Sequence, residues 1–250
     1  MKKHSIRFPD LSERVDMPEL MDDTSSDQQL LVNTLRQFRL INRFLTPVRR
    51  LLKNQVLKQM MKEPNREYHL VDLGAGGCET AVWLLRQAQR NGLHLRITAC
   101  DHDPRVVQYA RDTFGKTPRL TIQQRRMLDI DDFRPVDFVF ANHLLHHLRD
   151  ADIYTLLGSL SRMDKKTVMI SDIHRSRTVY TSFYLISAML FRNSFARDDG
   201  LLSIRKGFTP REFRTFSAAA ASQETSCEIK TMPPGHIVLL MRNRASNSEM

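Results

Sequence analysis

His69-Leu70-Val71-Asp72-Leu73-Gly74-Ala75-Gly76-Gly77-Cys78-Glu79-Thr80 is the stretch from which the fold can be read. An apolar run ends in an acidic residue, a glycine-rich turn follows at once, and a helix-like segment begins. Roughly 25 residues beyond the turn, a second apolar run ends in Asp101, the spacing of a nucleotide-like cofactor seated at the carboxyl ends of two parallel strands. Gly74 lets the chain turn sharply off the strand. Gly76 removes side-chain bulk where a ligand must approach the backbone. The helix start offers unpaired N–H groups, and Asp101 stands where a carboxylate can accept two hydrogen bonds from a ribose diol.

On either side the rhythm is strand and helix in alternation. Tyr68–Leu73, Leu95–Cys100, Arg119–Gln124, Val136–Ala141 and Thr167–Ile173 read as strands. Segments 79–91, 104–114 and 151–163 read as helices, the second capped by Asp103. Such alternation predicts an α/β fold with a mostly parallel sheet covered on both faces. Before it, residues 1–27 are polar and arm-like. Residues 28–61 are helical by period, with Leu31, Leu35, Phe38, Ile41 and Leu45 near one face and a break at Pro47. After it, Thr178–Ala196 is unusually apolar and aromatic. Arg197-Asp198-Asp199-Gly200 reads as a turn, and Thr209-Pro210-Arg211-Glu212 as a capped helix start. Cys227–Thr231 and His236–Arg242 read as a final hairpin-like pair, with a disordered tail from Ala245. The expected division is an arm and helical cap over 1–64 and a cofactor-binding domain over 65–250, with a lid insertion at about 174–208.

The glycine pattern departs from a dinucleotide site. Gly-x-Gly-x-x-Gly would put glycine where Glu79 stands, and a carboxylate there would repel a pyrophosphate. A cofactor with ribose and adenine but no phosphates fits better. S-adenosylmethionine has these parts, and its sulfonium and ammonium groups tolerate a carboxylate such as Asp72.

With Asp72-Leu-Gly-Ala-Gly-Gly, Asp101 ending strand two, Met127-Leu128-Asp129 after strand three and Ala141-Asn142-His143 after strand four, the chain resembles class I S-adenosylmethionine-dependent methyltransferases over residues 68–242. The resemblance implies a Rossmann-like fold: a seven-stranded, mostly parallel sheet with a reversed last strand, N-terminal helices and a helical lid after strand five. It also implies roles. Gly74, Ala75 and Gly76 shape the loop under the methionine part, and Asp72 orders the ammonium group. Asp101 holds the ribose hydroxyls, with His102 beside the adenine. Asp129 accepts from the adenine amine, with Met127 and Leu128 lining that pocket, and Asn142 contributes backbone contacts. Asp72 and Asp101 bonding only to nearby turn backbone, and Asp129 capping a helix, are the competing structural readings. Cys78 stands where many members carry a third glycine, and altered packing at the helix start is expected there.

Asn142-His143-Leu144-Leu145-His146-His147-Leu148 puts three histidines beside the expected methyl group. His143 and His146 are the leading candidates for a proton acceptor, against the reading that the histidines cap or pack the next helix. Tyr180, Phe183 and Tyr184, with Met189 and Phe191, are the candidate acceptor wall. Arg36, Arg39 and Asn42 would close the opposite side, one arginine pairing with the cofactor carboxylate.

Asn142 is not followed by Pro-Pro-Tyr, and no RNA module is recognised, so nucleic acid is not the expected partner. The pattern, including Asp198-Asp199-Gly200-Leu201-Leu202-Ser203 before Thr209-Pro210, resembles bacterial methyltransferases of secondary metabolism, which implies a hydroxylated aromatic, quinone-like or polyketide acceptor. O-methylation is favoured over C-methylation. RNA or protein methylation and a non-catalytic, cofactor-binding regulator are the alternatives. The 250 residues carry a net charge of +10, spread without a basic arm, which favours a solvated arginine-rich surface over a dedicated anionic partner. No apolar run reaches membrane-spanning length, and the N-terminus lacks a signal-peptide pattern. Cys78, Cys100 and Cys227 lack metal-ligand spacing, so a reduced, cytoplasmic protein with no metal is expected; a homodimer is among the expected partner states.

Overall fold

In the computed structural model, residues 9–44, 47–130, 133, 135–163, 167–221 and 224–243 are described, with 40–44 as backbone only. Leu45, the side chains of Ile41 and Asn42, and the C-terminal tail expected from Ala245 lie outside these residues. Seven strands form one sheet: β1 (Glu67–Leu73), β2 (His94–Asp101), β3 (Leu120–Gln124), β4 (Phe138–Asn142), β5 (Thr167–Ile173), β6 (Thr225–Met232) and β7 (His236–Asn243). Their order is β3-β2-β1-β4-β5-β7-β6. β1 through β5 pair in parallel, and β7 runs antiparallel to both neighbours. This is the expected Rossmann-like methyltransferase sheet with its reversed last strand.

The order reverses between β1 and β4. At such a switch point the helices on the two sides diverge and leave a crevice beyond the strand ends. Register fixes what faces it. Asp72 lies opposite Ala99 and Leu73 opposite Cys100, and Asn142 lies opposite Ser171. From Tyr68 onward β1 is buried, because helices cover both faces.

The helices are α1 (Gln28–Phe44), α2 (Val48–Leu52) continuing through a π-helical turn (Lys53–Leu57) into α3 (Lys58–Met60), α4 (Glu79–Arg90), α5 (Pro104–Phe114), α6 (Asp150–Arg162), α7 (Arg177–Leu190), α8 (Ala196–Lys206) and α9 (Pro210–Ala220). Their starts follow local rules. The Asp103 side chain accepts from Arg105 N–H at 2.8 Å ahead of Pro104. Thr209 and Glu212 close a reciprocal capping box. Asp27 accepts from Leu30 N–H at 2.8 Å at the head of α1. One face of the sheet packs on α2, α3 and α4 through Leu52, Val56, Met60 and Leu84. The other packs on α6 and α9 through Ile153, Leu157, Phe213 and Phe216.

Two expectations fail after β5. Arg197–Gly200 is not a turn but the first turn of α8. Gly200 is there for packing: a Cβ on it would collide with the ring of Phe183 on α7. The turn instead falls in the short connection before Ala196. The apolar segment also has two distinct faces. Val179, Phe183 and Ile186, spaced i, i+4, i+7, look into the crevice. Tyr184, Leu185, Met189 and Leu190 are exposed, Met189 at 80%. Among the described residues no helix is long and apolar enough to cross a membrane.

Candidate active site

One cavity of about 330 Å³ lies beyond the carboxyl ends of β1, β2, β4 and β5, within the size range of small-molecule sites. One side of it is the glycine turn. Gly74 and Gly76 have φ of 65° and 52°, a region open to glycine at little cost. At Gly74 a Cβ would also sit 2.7 Å from the Leu144 side chain. Ala75 N–H donates to Cys100 C=O at 2.9 Å and Gly76 N–H to Asp101 Oδ2 at 3.0 Å, tying the turn across the ends of β1 and β2. Cys78, with φ 65°, caps α4 and is buried. The altered packing expected here is a side chain held in a backbone conformation that glycine adopts most easily.

Two carboxylates define the charge of this side. Burial, reinforced by the neighbouring Asp101, pushes the Asp72 pKa up to about 8. Burial also raises Asp101, although the N–H groups of Asp103 and Gly76 both donate to it. A buried carboxylate with a raised pKa is stabilised by a cation. Glu79, also raised by burial, lines the same wall, and its Oε1 is buried without a hydrogen-bond partner, as is Asn142 Oδ1. Arg39 lines the cavity too; Arg36 does not.

The opposite side is built from histidines. β4 ends at Asn142, and His143 then takes φ 54°. His143 Nε2 lies 2.9 Å from His236 Nε2, with the rings stacked. Burial, then the proximity of His236, pushes His143 down to about 3; burial likewise lowers His236 to about 4. Both rings are therefore neutral at pH 7. His146 and His147 sit on a 3-10 turn (Leu145–His147). His146 Nδ1 is 2.7 Å from Asp172 Oδ1 at the end of β5. His147 Nδ1 is 3.2 Å from Asp22 Oδ2. Burial would raise Asp172, but the His146 charge and hydrogen bond outweigh it and hold it well below the carboxylate range. His147 is also pushed down by burial, but the Asp22 hydrogen bond and the Glu19 and Asp22 charges reverse this and leave it raised.

Comparison with known proteins fits this arrangement. Residues 70–167 match a family model described as a methyltransferase domain. That match spans β1 to the start of β5, the part of the chain that carries the glycine turn and Asp101. No curated protein matches the sequence. Among solved structures, the plantazolicin methyltransferase BamL, in complex with a triazolic desmethylPZN analog and SAH, superposes with a TM-score of 0.60 at 12% identity, over 86% of this chain and 97% of its own. Magnesium protoporphyrin IX methyltransferase from Synechocystis PCC 6803, with bound SAH, gives 0.51 at 11% identity over 87% and 100%. The CMeT domain of the citrinin polyketide synthase gives 0.54 at 14% over 74% and 50%. At these identities the likeness is one of fold.

Of the residues singled out in the sequence, Asp72, Gly74, Ala75, Gly76, Asp101, His102, Met127, Asn142, His143, His146 and Phe183 line this cavity. Four do not. Leu128 packs on the core beneath β4. Asp129 is exposed on a tight turn in which its own N–H donates to Arg126 C=O at 3.1 Å. Tyr180 and Tyr184 lie on the outward side of α7, because they are one residue out of step with Val179 and Phe183; Tyr184 packs under the Arg197 guanidinium at 5.3 Å.

Other residues of the cluster did not emerge from the sequence. Asp172 carried a readable signal, since it ends an apolar strand as Asp72 and Asp101 do. Glu19 and Asp22 looked like part of a polar arm, and His236 like an ordinary strand start.

Proposed function

We propose that this methyltransferase transfers the methyl group of S-adenosylmethionine to the oxygen of a hydroxylated aromatic, quinone-like or polyketide acceptor. The observation that carries this reading is the continuity of the cavity: the acidic turn at Asp72 and Asp101, the histidines after β4 and the apolar face of α7 border the same space.

The donor is already activated, because the methyl group leaves a sulfonium. The protein has to bring a nucleophile in line with it. The ammonium group pairs with Asp72, and the buried carboxylate gains the cation that its raised pKa calls for. The ribose hydroxyls donate to Asp101, whose oxygens keep lone pairs beyond those used by Gly76 and Asp103 N–H. Val179, Phe183 and Ile186 hold the acceptor ring. As the S–CH3 bond breaks and the O–CH3 bond forms, the hydroxyl proton passes to neutral His143, and His236 shares the resulting charge. The products are the methyl ether, the neutral thioether S-adenosylhomocysteine and one proton.

A second reading has an observation behind it. Arg49, Arg50, Lys53 and Lys58 surround a shallow groove beside Trp83, outside the cavity, and the net charge is +10. An RNA acceptor would dock there, and binding would fall steeply with salt. The deciding experiment offers radiolabelled S-adenosylmethionine to a panel of hydroxylated aromatics and to RNA, at low and high salt. Label on the small phenols, insensitive to salt, supports the first reading. Label on RNA that disappears as salt rises replaces it.

A further inference from the structure

His146 and His147 are adjacent in sequence, yet both turn the same ring edge toward one point. Carboxylates can only accept hydrogen bonds. The short contacts His146 Nδ1–Asp172 Oδ1 (2.7 Å) and His147 Nδ1–Asp22 Oδ2 (3.2 Å) therefore place a proton on each Nδ1. In the neutral rings that leaves each Nε2 with a bare lone pair. Both lone pairs face Glu19, a residue of the N-terminal arm that is 2% exposed. His146 Nε2 lies 3.7 Å from Glu19 Oε1, and His147 Nε2 lies 3.9 Å from Oε2. Ser203 Oγ donates to Oε1 at 2.9 Å and Lys206 Nζ lies 3.3 Å from it. That leaves Oε2 turned to the histidines. Three possible ligand atoms, the two Nε2 when unprotonated and a Glu19 oxygen, converge within 4.8 Å of one another.

The surrounding charge has the same sign. Glu19, Asp22, Asp172 and Asp199 bring four carboxylates together; Lys206 faces Glu19, Arg14 and Arg105 act on Asp172 and Asp22, and Asp199 receives Leu20 and Met21 N–H at 2.7 and 3.0 Å. A divalent ion would place further positive charge among these carboxylates. The ligand set, two imidazoles and one carboxylate, is that of zinc-type sites. The Asp172–His146 and Asp22–His147 contacts are the carboxylate–histidine supports such sites use to fix ring orientation and tautomer. Tetrahedral donors about 2.0–2.1 Å from zinc lie roughly 3.4 Å apart; each histidine Nε2 is already 3.7 or 3.9 Å from a Glu19 oxygen, and side-chain rotation has to close the remaining separation.

We propose that Glu19, His146 and His147 bind one divalent transition-metal ion of zinc type, with its open position facing the acceptor cavity. All three ligands line that cavity. The sequence, read through its scattered cysteines, gave no reason to expect a metal. The role of the ion rests on the proposed methyl transfer: it coordinates a hydroxyl or keto oxygen of the acceptor and lowers the hydroxyl pKa. This selects acceptors that carry a coordinating oxygen, and it takes His146 out of the running as proton acceptor.

The test uses the full chain, freed of any affinity tag and stripped with a chelator. Zn2+ is titrated by calorimetry and Co2+ by its visible ligand-field absorption. One equivalent should bind with a Kd of about 1 μM or tighter. Glu19→Gln and His147→Gln should each weaken it by about tenfold or more, while S-adenosylmethionine binding by the same samples stays within about twofold, which shows that the variants are folded. No saturable metal binding to the wild type, or binding unchanged in both variants, overturns the site. Metal binding by a protein that fails to bind S-adenosylmethionine would instead overturn the methyltransferase reading and leave the metal site standing.

Discussion

The two sides of the cleft are built in different ways. The cofactor side comes from one short stretch and its nearest neighbours: Asp72, the glycine turn and Asp101, locked by Ala75 and Gly76 N–H across adjacent strand ends. The acceptor side is assembled from five remote places: Glu19 and Asp22 on the arm, His143 to His147 after β4, Asp172 on β5, Phe183 on α7 and His236 on β7. The first is local backbone geometry with two buried carboxylates. The second is a set of side-chain contacts that exist only once the chain has folded. The matched family model, residues 70–167, contains the whole of the first side but only the histidine loop of the second. On the proposed reading, donor chemistry is carried by the matched segment and acceptor chemistry by what surrounds it.

If the division holds, substitutions on the two sides should separate binding from turnover. The largest effect is expected from His143→Ala. Loss of the proton acceptor should lower kcat by about a hundredfold on any phenolic acceptor, with little change in S-adenosylmethionine affinity. Steady-state kinetics beside calorimetry measures both, and near-normal turnover would make His143 structural. Next comes Asp101→Ala, which should weaken S-adenosylmethionine by about tenfold or more, since charge-assisted hydrogen bonds are lost. Here saturating cofactor should restore most of kcat; a loss of kcat that persists would mean the two sides are not separable.

A smaller effect should appear in stability. Asp72 is ordinarily ionised above about pH 4, whereas in the fold its pKa is about 8. The fold thus favours the protonated form. The contribution of Asp72 to the stability of the ligand-free protein is most favourable at low pH and is lost as pH rises through about 8. Asp72→Asn, which cannot ionise, should raise the Tm of ligand-free protein by several degrees at pH 9. The gap should narrow toward pH 5 and close near about pH 4, and the variant should bind S-adenosylmethionine more weakly. An equal Tm difference at both pH values would show that Asp72 is not the titrating group. The smallest effect is expected from Gly200→Ala. The added methyl collides with Phe183 and should raise the KM for the acceptor about threefold, leaving cofactor affinity alone.

The same division explains how far the sequence could be read. The turn at 74–76 needs glycine for reasons visible in the chain itself, namely positive φ and room beside the strand ends, so the cofactor side was legible before folding. The sheet followed from the alternation of apolar runs and capped helices such as Asp103-Pro104 and Thr209-Pro210. Legibility stopped where partners are distant. Nothing local tells Glu19 that it will meet His146, or His143 that it will stack on His236. On α7 an apolar segment with two faces gave no sign of which would turn inward, so Tyr180 and Tyr184 were expected in the cleft that Val179 and Phe183 occupy. Asp198-Asp199-Gly200 looks like a turn because aspartate and glycine favour turns. In the fold Asp199 receives the arm's N–H groups and Gly200 makes space for a ring. Asp129 was expected at the adenine from its place after β3, but the tight turn there directs it to solvent.

The most direct test of the central claim is a calorimetric titration of the wild-type chain with S-adenosylmethionine, repeated on Asp101→Ala. The structure calls for saturable binding of one molecule per chain with a Kd in the micromolar range, weakened about tenfold or more in the variant. No binding by the wild type at cofactor concentrations up to about 1 mM, or equal affinity in both proteins, would contradict it.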